Sequence, residues 1–162
     1  MAVEHDCTEP SERVKVIKAH VSIKEVVLPA GDWAIYGRDG LTVGIEVKTV
    51  GSLLGSFVDG TETGQNRLYA ECEDCRAAWD VGLLVVIGLA GRTRDGFLTY
   101  NHKPAGSWLW KTYQSILFRL MLRGIPVVQV QDDLEFAELL EAWDRAAQRQ
   151  SIESVRSRQA LA

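Results

Sequence analysis

The chain has 162 residues, a hydrophobic share of 46%, a charged share of 25% and a net charge of −4. That balance fits one folded domain and excludes a disordered chain. No apolar run approaches the ~20 residues that span a bilayer, the first residues lack the apolar stretch of a signal peptide, and three cysteines make no disulfide framework, so a cytoplasmic protein without membrane contact is expected. The charge is segregated. Residues 91–123 hold six basic side chains against the single acid Asp95, a local balance of +5, and residues 132–145 hold six acids against Arg145, a balance of −5. Such a chain either presents one basic face despite its acidic total or simply carries solvated helix faces and a loop.

In chain order, residues 1–12 show no periodicity and read as a flexible arm, ahead of a domain over residues 13–147 and a helical or disordered tail over residues 148–162. Residues 13–17 (RVKVI) alternate polar and apolar, and residues 23–28 (IKEVVL) are rich in β-branched side chains; both read as strands. A Pro-Ala-Gly turn leads through Asp32 into a strand over residues 33–36. The Asp-Gly turn of residues 37–40 makes a hairpin with residues 41–47. A short helix and a loop are expected in residues 51–64. A helix over residues 66–79 aligns Leu68, Cys72, Cys75 and Trp79 on one face. Residues 83–88 (LLVVIG) form a strand covered on both faces. Residues 91–106 read as a long basic loop, and Ser107 as the cap of a helix that ends at Gly124 and Pro126. Residues 127–130 are a buried strand, and Asp132 and Asp133 cap the last helix. The order predicts an α/β fold: a single mixed β-sheet with a right-handed parallel crossover, flanked by helices on both faces.

Residues 28–48 (LPAGDWAIYGRDGLTVGIEVK) carry the chemistry. Glu46 and Lys48 share one face of a strand while Val47 takes the other, and the hairpin folds Asp32 back toward them. Two carboxylates beside an ammonium suit a hard divalent cation, Mg²⁺ or Mn²⁺, which shares its sites with water and phosphate. Asp32 and Glu46 are then the metal ligands, and Lys48 the charge that steadies the attacking water or the developing phosphorane. By itself an E-x-K pair is a weak signal, since it occurs by chance in many chains of this length, usually as an exposed strand pair. Cys72 and Cys75 sit on a helix with only Cys7 besides, a pattern of core packing rather than of zinc or redox chemistry. The tryptophans Trp108 and Trp110, near His102 and Lys103, read either as core or as stacking surfaces for DNA.

The run GDW (31–33), the hairpin, EVK (46–48), SLLGSF (52–57) and RLYAE (67–71) resembles the nuclease domain of the XPF family, a branch of the PD-(D/E)XK superfamily. That family shows G-D, a strand, E-R-K-x-x-x-D, an apolar S-L-x-x-G helix and G-R-L-x-x-Q. The likeness continues through GLLVVIG (82–88) and IPVVQV (125–130) and covers roughly residues 25–143. It implies a restriction-endonuclease-like fold and a metal-dependent endonuclease acting on branched, flapped or single-stranded DNA, working as a homodimer through its last two helices. Three departures stand out. Val47 replaces the arginine, Ser52 the later aspartate, and the early D-x-R-E is not recognisable in residues 1–28, where Glu25 is a stand-in. Glu71 occupies the glutamine position, as an auxiliary ligand, a water-orienting group or a helix-surface acid. Arg67 joins Arg92, Arg94, Lys103 and Lys111 as candidate DNA-binding residues. The missing acids leave open a catalytically inactive DNA-binding or dimerising subunit, and chance likeness leaves open a protein-interaction domain; divalent-metal binding separates the nuclease from both. The stand-alone form suits a bacterial or phage-infected cell.

Overall fold

The computed structural model describes residues 3–58 and 66–149, and β1 (Val3–Asp6) already belongs to the main sheet. This strand alternates buried Val3 and His5 with half-buried Glu4 and Asp6, the period of a half-covered strand. α1 (Ser11–Lys18) follows Pro10 and buries Arg13 and Ile17 four residues apart on one face. Residues 3–12 are thus no arm, and residues 13–17 no strand. RVKVI alternates only if Arg13 is counted as facing outward, whereas its guanidinium is buried and paired with Glu9 and Asp133. The expected tail lies almost wholly outside the described residues.

β2 (Ile23–Val26) runs parallel to β1, while β3 (Trp33–Tyr36) runs antiparallel to it. A 3₁₀ turn, Arg38–Gly40, leads to β4 (Thr42–Thr49), antiparallel to β3. α2 (Val50–Val58) and α3 (Arg67–Ala78) then cross to β5 (Val81–Ile87), parallel to β4. Thr49 and Ser52 start α2 with a reciprocal cap, each side-chain oxygen accepting the other's backbone N–H at 3.1 and 2.9 Å. Asn66 caps α3, its side chain accepting from the Tyr69 N–H.

Residues 91–106 are not a loop. They contribute to a second, antiparallel sheet of β6 (Ala90–Arg92), β7 (Phe97–Tyr100) and β8 (Lys103–Leu109). Asn101 and His102, with φ of 47° and 65°, close β7 on β8 in a two-residue turn of the kind that matches strand twist. These strands carry small and polar residues, so no apolar run announces them. Ser107 lies within β8, and α4 (Trp110–Leu122) starts at Trp110 without a side-chain cap. β9 (Val127–Val130) lies parallel on β5, and Asp132 caps α5 (Asp133–Ala147) by accepting from the Leu134 and Glu135 N–H groups.

The main sheet has the order β2-β1-β3-β4-β5-β9 and helices on both faces. On one face α1 and α5 pack Ile17, Phe136 and Leu140 onto Ile45, Val47, Val85 and Ile87. On the other, α2, α3 and α4 pack Leu53, Leu68, Cys72, Ile116 and Leu120 onto Leu84 and Val86, with Leu98 of the small sheet among them. Val47 faces α5, so strand parity turns Glu46 and Lys48 toward α3. No helix among the described residues is long and apolar enough to cross a membrane.

Candidate active site

Gly31 sets the entrance to β3. Its φ is +78°, and a Cβ there would lie 3.1 Å from the Ile45 carbonyl oxygen and 3.2 Å from Cys75 Sγ, so glycine is needed for both conformation and space. The turn lets Asp32 N donate to Ile45 O at 2.8 Å. Asp32 Oδ2 accepts from Val47 N at 2.7 Å, which places the carboxylate across β4 between Glu46 and Lys48. Glu46 is only 6% exposed. The Lys48 ammonium stands 2.7 Å from Glu46 Oε1 and 2.9 Å from Glu71 Oε2, and Arg67 Nε reaches Glu71 Oε1 at 2.8 Å. Acid and base therefore alternate from Glu46 to Arg67.

Burial, then the like charge of Asp32, pushes the Glu46 carboxyl up to about 7. Burial likewise raises Asp32, against the Val47 N–H and Lys48, which favour its charged form. Lys48 is penalised by burial, yet Glu46 and Glu71 more than offset this and lift it to about 12. The site holds its ammonium firmly and its carboxylates uneasily. Burial and the nearby Glu46 also raise the Cys72 and Cys75 thiols, so both pack as neutral core groups.

Sequence reading misses Glu9. Its carboxylate accepts from the Trp33 indole N–H at 2.9 Å and from Arg13 at 3.1 Å, and burial followed by the Asp32 charge raises it. A signal for it exists: Asp6-Cys7-Thr8-Glu9 has the D-x-x-E spacing of the early motif, with Thr8 at the arginine position. Asp6 backs Asp32 through its backbone N–H, which donates to Asp32 O at 2.8 Å, while its own carboxylate accepts from Thr8 and Leu28. Of the auxiliary candidates, Glu71 joins the group. Glu25 lies exposed on edge strand β2, with β1 between it and β3. Ser52 is occupied in the α2 cap. Among the DNA-binding candidates, Arg67 borders the site through Glu71, whereas Arg92, Arg94 and Lys103 stand exposed on the small sheet and its turn and Lys111 on the first turn of α4.

Among the described residues, no group of three or more His, Cys, Asp and Glu side chains is placed to hold a metal ion. Mg²⁺ asks less of a protein, because it is commonly held by one or two carboxylates and keeps several waters. Asp32 and Glu46 supply hard oxygen donors whose mutual repulsion a cation would relieve, Asp32 being bonded through Oδ2 and Glu46 paired through Oε1. The donor set fits such an ion.

No protein-family model and no curated protein sequence matches the chain. Solved structures do. XPF from Aeropyrum pernix superimposes with a TM-score of 0.68 at 20% identity, over 98% of this chain and 70% of that one. XPF from Aeropyrum pernix in complex with DNA gives 0.67 at 20% identity, over 90% of this chain and 64% of that one. The molecule thus has the mixed α/β fold of these XPF structures, and at this identity the likeness reaches the architecture alone.

Proposed function

We propose that this chain, folded as XPF is, acts as a Mg²⁺- or Mn²⁺-dependent DNA endonuclease on branched, flapped or single-stranded DNA. The observation that carries the reading is the buried meeting of Asp32, Glu46 and Lys48 at the C-terminal half of β4, where burial first, and then the mutual repulsion of the two acids, raises the carboxyl pKa values despite the Lys48 ammonium. Perturbed titration at a converging cluster is a recognised mark of chemistry. Asp32 and Glu46 would hold the ion, and Glu9 and Glu71 orient the groups around it. When bound, such an ion acidifies water and polarises a phosphoryl oxygen. Lys48, held charged far above neutral pH, offers a fixed positive group toward the extra charge of a phosphodiester under attack. Gly31 and the Val47 N–H keep the Asp32 carboxylate in one orientation.

DNA is the proposed substrate because an XPF of known structure was solved with it and because Arg67 borders the site while Arg92, Arg94, Lys103 and Lys111 offer exposed basic charge on the small sheet, its turn and the start of α4. A second reading, an inactive DNA-binding subunit, draws on Lys48, whose ammonium already neutralises Glu46 and Glu71. Cleavage of labelled single-stranded, duplex, flap and four-way-junction DNA in Mg²⁺, Mn²⁺ or EDTA decides between them. Metal-dependent cutting abolished by EDTA is expected. Salt-sensitive binding without cutting in either metal would leave the inactive subunit standing.

A further inference from the structure

Between α2 and the β7–β8 hairpin lies an open cavity of about 700 Å³. Its floor is Val50, Leu54 and Gly55 of α2, a helix that begins two residues after Lys48, and its far wall includes Tyr100, Lys103 and Trp108. We infer that this cavity seats one unpaired base of a DNA strand whose phosphates pass the Asp32–Glu46–Lys48 centre; the inference rests on the proposed nuclease reading.

The wall is built to be rigid. Tyr100 lies over Gly88, where an added Cβ would meet the ring at 2.1 Å. Trp108 stands edge-on to Phe57 at 6.3 Å and 70°. The hairpin turn holds two non-glycine residues, Asn101 and His102, in the left-handed region. It is clamped there by paired bonds to Leu89: Asn101 N donates to Leu89 O at 2.9 Å, and Leu89 N donates to Asn101 Oδ1 at 3.0 Å.

The chemistry of the cavity selects the occupant. Two aromatic walls over an aliphatic floor receive a flat apolar face, and every base has one. Among the described residues, the only charged side chain lining the cavity is Lys103, a cation at the rim where the phosphate of a seated nucleotide would lie. The small sheet that carries this wall also presents Arg92 and Arg94. A base paired in a duplex keeps its faces stacked, so the cavity discriminates for unpaired strands.

Gly55 makes the test clean. A Cβ there meets nothing within 4 Å, so Gly55→Leu fills the cavity from a helix that tolerates leucine better than glycine. The full chain is titrated with a labelled single strand, with the same strand carrying one abasic site at each position in turn, and with its duplex. One abasic register is expected to weaken single-strand binding about tenfold, the size of one aromatic stack. Gly55→Leu and Trp108→Ala should each impose the same loss, abolish the abasic dependence and leave duplex affinity unchanged. Equal affinity at every abasic register, or wild-type single-strand binding by Gly55→Leu, overturns the base pocket while duplex binding and cleavage keep the nuclease reading. Failure of the wild-type chain to bind either form overturns both.

Discussion

Water solvates a carboxylate better than a protein interior does, so burying Glu46 beside Asp32 favours its protonated form. The linkage follows in sign. In the unfolded chain Glu46 releases its proton near 4.5, and in the fold near 7. Between those values the native state binds more protons, and stability falls as pH rises. Glu9 and Asp32, raised by the same burial, act in the same direction. Metal-free protein is therefore expected to lose a few kcal/mol between about pH 5 and 7.5, read from thermal unfolding in EDTA. Glu46→Gln should flatten much of that slope; an unchanged slope would show that Glu46 titrates normally. The same variant keeps volume while removing charge, so it should stay folded and lose metal-dependent cleavage. Lys48→Ala should slow cleavage by about 10²- to 10³-fold, the usual cost of one preorganised charge. Single-turnover assays of both variants check this, and wild-type rates from either would place the chemistry elsewhere. Asp32, Glu46 and Lys48 are legible as a group because a two-residue spacing and a hairpin fix which face and which end they share. Glu9 is not, because a buried arginine makes α1 look like a strand and hides the helix whose entrance holds that acid. The Lys48–Glu71 pair also escapes, since it depends on how α3 is rotated over the sheet.

At the scale of elements, the long apolar runs are the readable ones. β4, β5 and β9, and the capped helices α3 and α5, declare themselves because both strand faces or one helix stripe must be covered. β1 is four residues long and β6 to β8 are rich in small and polar residues, so their pairing is set by partners distant in sequence rather than by their own pattern. α4 exceeds what the sheet can cover. It buries Tyr113, Ile116, Leu117 and Leu120, yet leaves Phe118, Met121 and Leu122 exposed, Leu122 by 71%. Leu134 at the start of α5 is also exposed, whereas Trp143 of the same helix packs against the core. Both helices pack on β9, an edge strand, so the exposed side chains flank one open edge. Apolar patches of this kind mark association surfaces, and a homodimer across them is expected. Light scattering should give twice the 18.0 kDa chain mass, and Leu122→Glu should give the monomer. A wild-type monomer at high concentration would rule this surface out as a dimer interface.

Over the whole molecule, the main sheet separates charge as well as layers. The acidic helix α5 packs on the face opposite Glu46 and Lys48, whereas the small basic sheet is anchored through Leu98 on the same side as the candidate site. For a protein of net charge −4 to cleave a polyanion, as proposed above, repulsion must be offset locally, and this arrangement would do so by putting the like charges behind the sheet. Residues 91–106, though folded rather than a loop, still place Arg92, Arg94 and Lys103 on that side. Each such side chain that neutralises a phosphate releases condensed counterions, so binding weakens with salt by a slope of about −0.9 per phosphate. Alanine at all three positions should weaken duplex binding for every sequence alike and reduce the slope by about one for each phosphate no longer neutralised. Affinity for Mg²⁺, followed by the shift in thermal unfolding on adding the ion, should stay nearly constant, because none of the three is a ligand. Fluorescence anisotropy across a salt series measures the slope. A triple variant with the parental slope would place the DNA on another face and leave the small sheet to serve as scaffold alone.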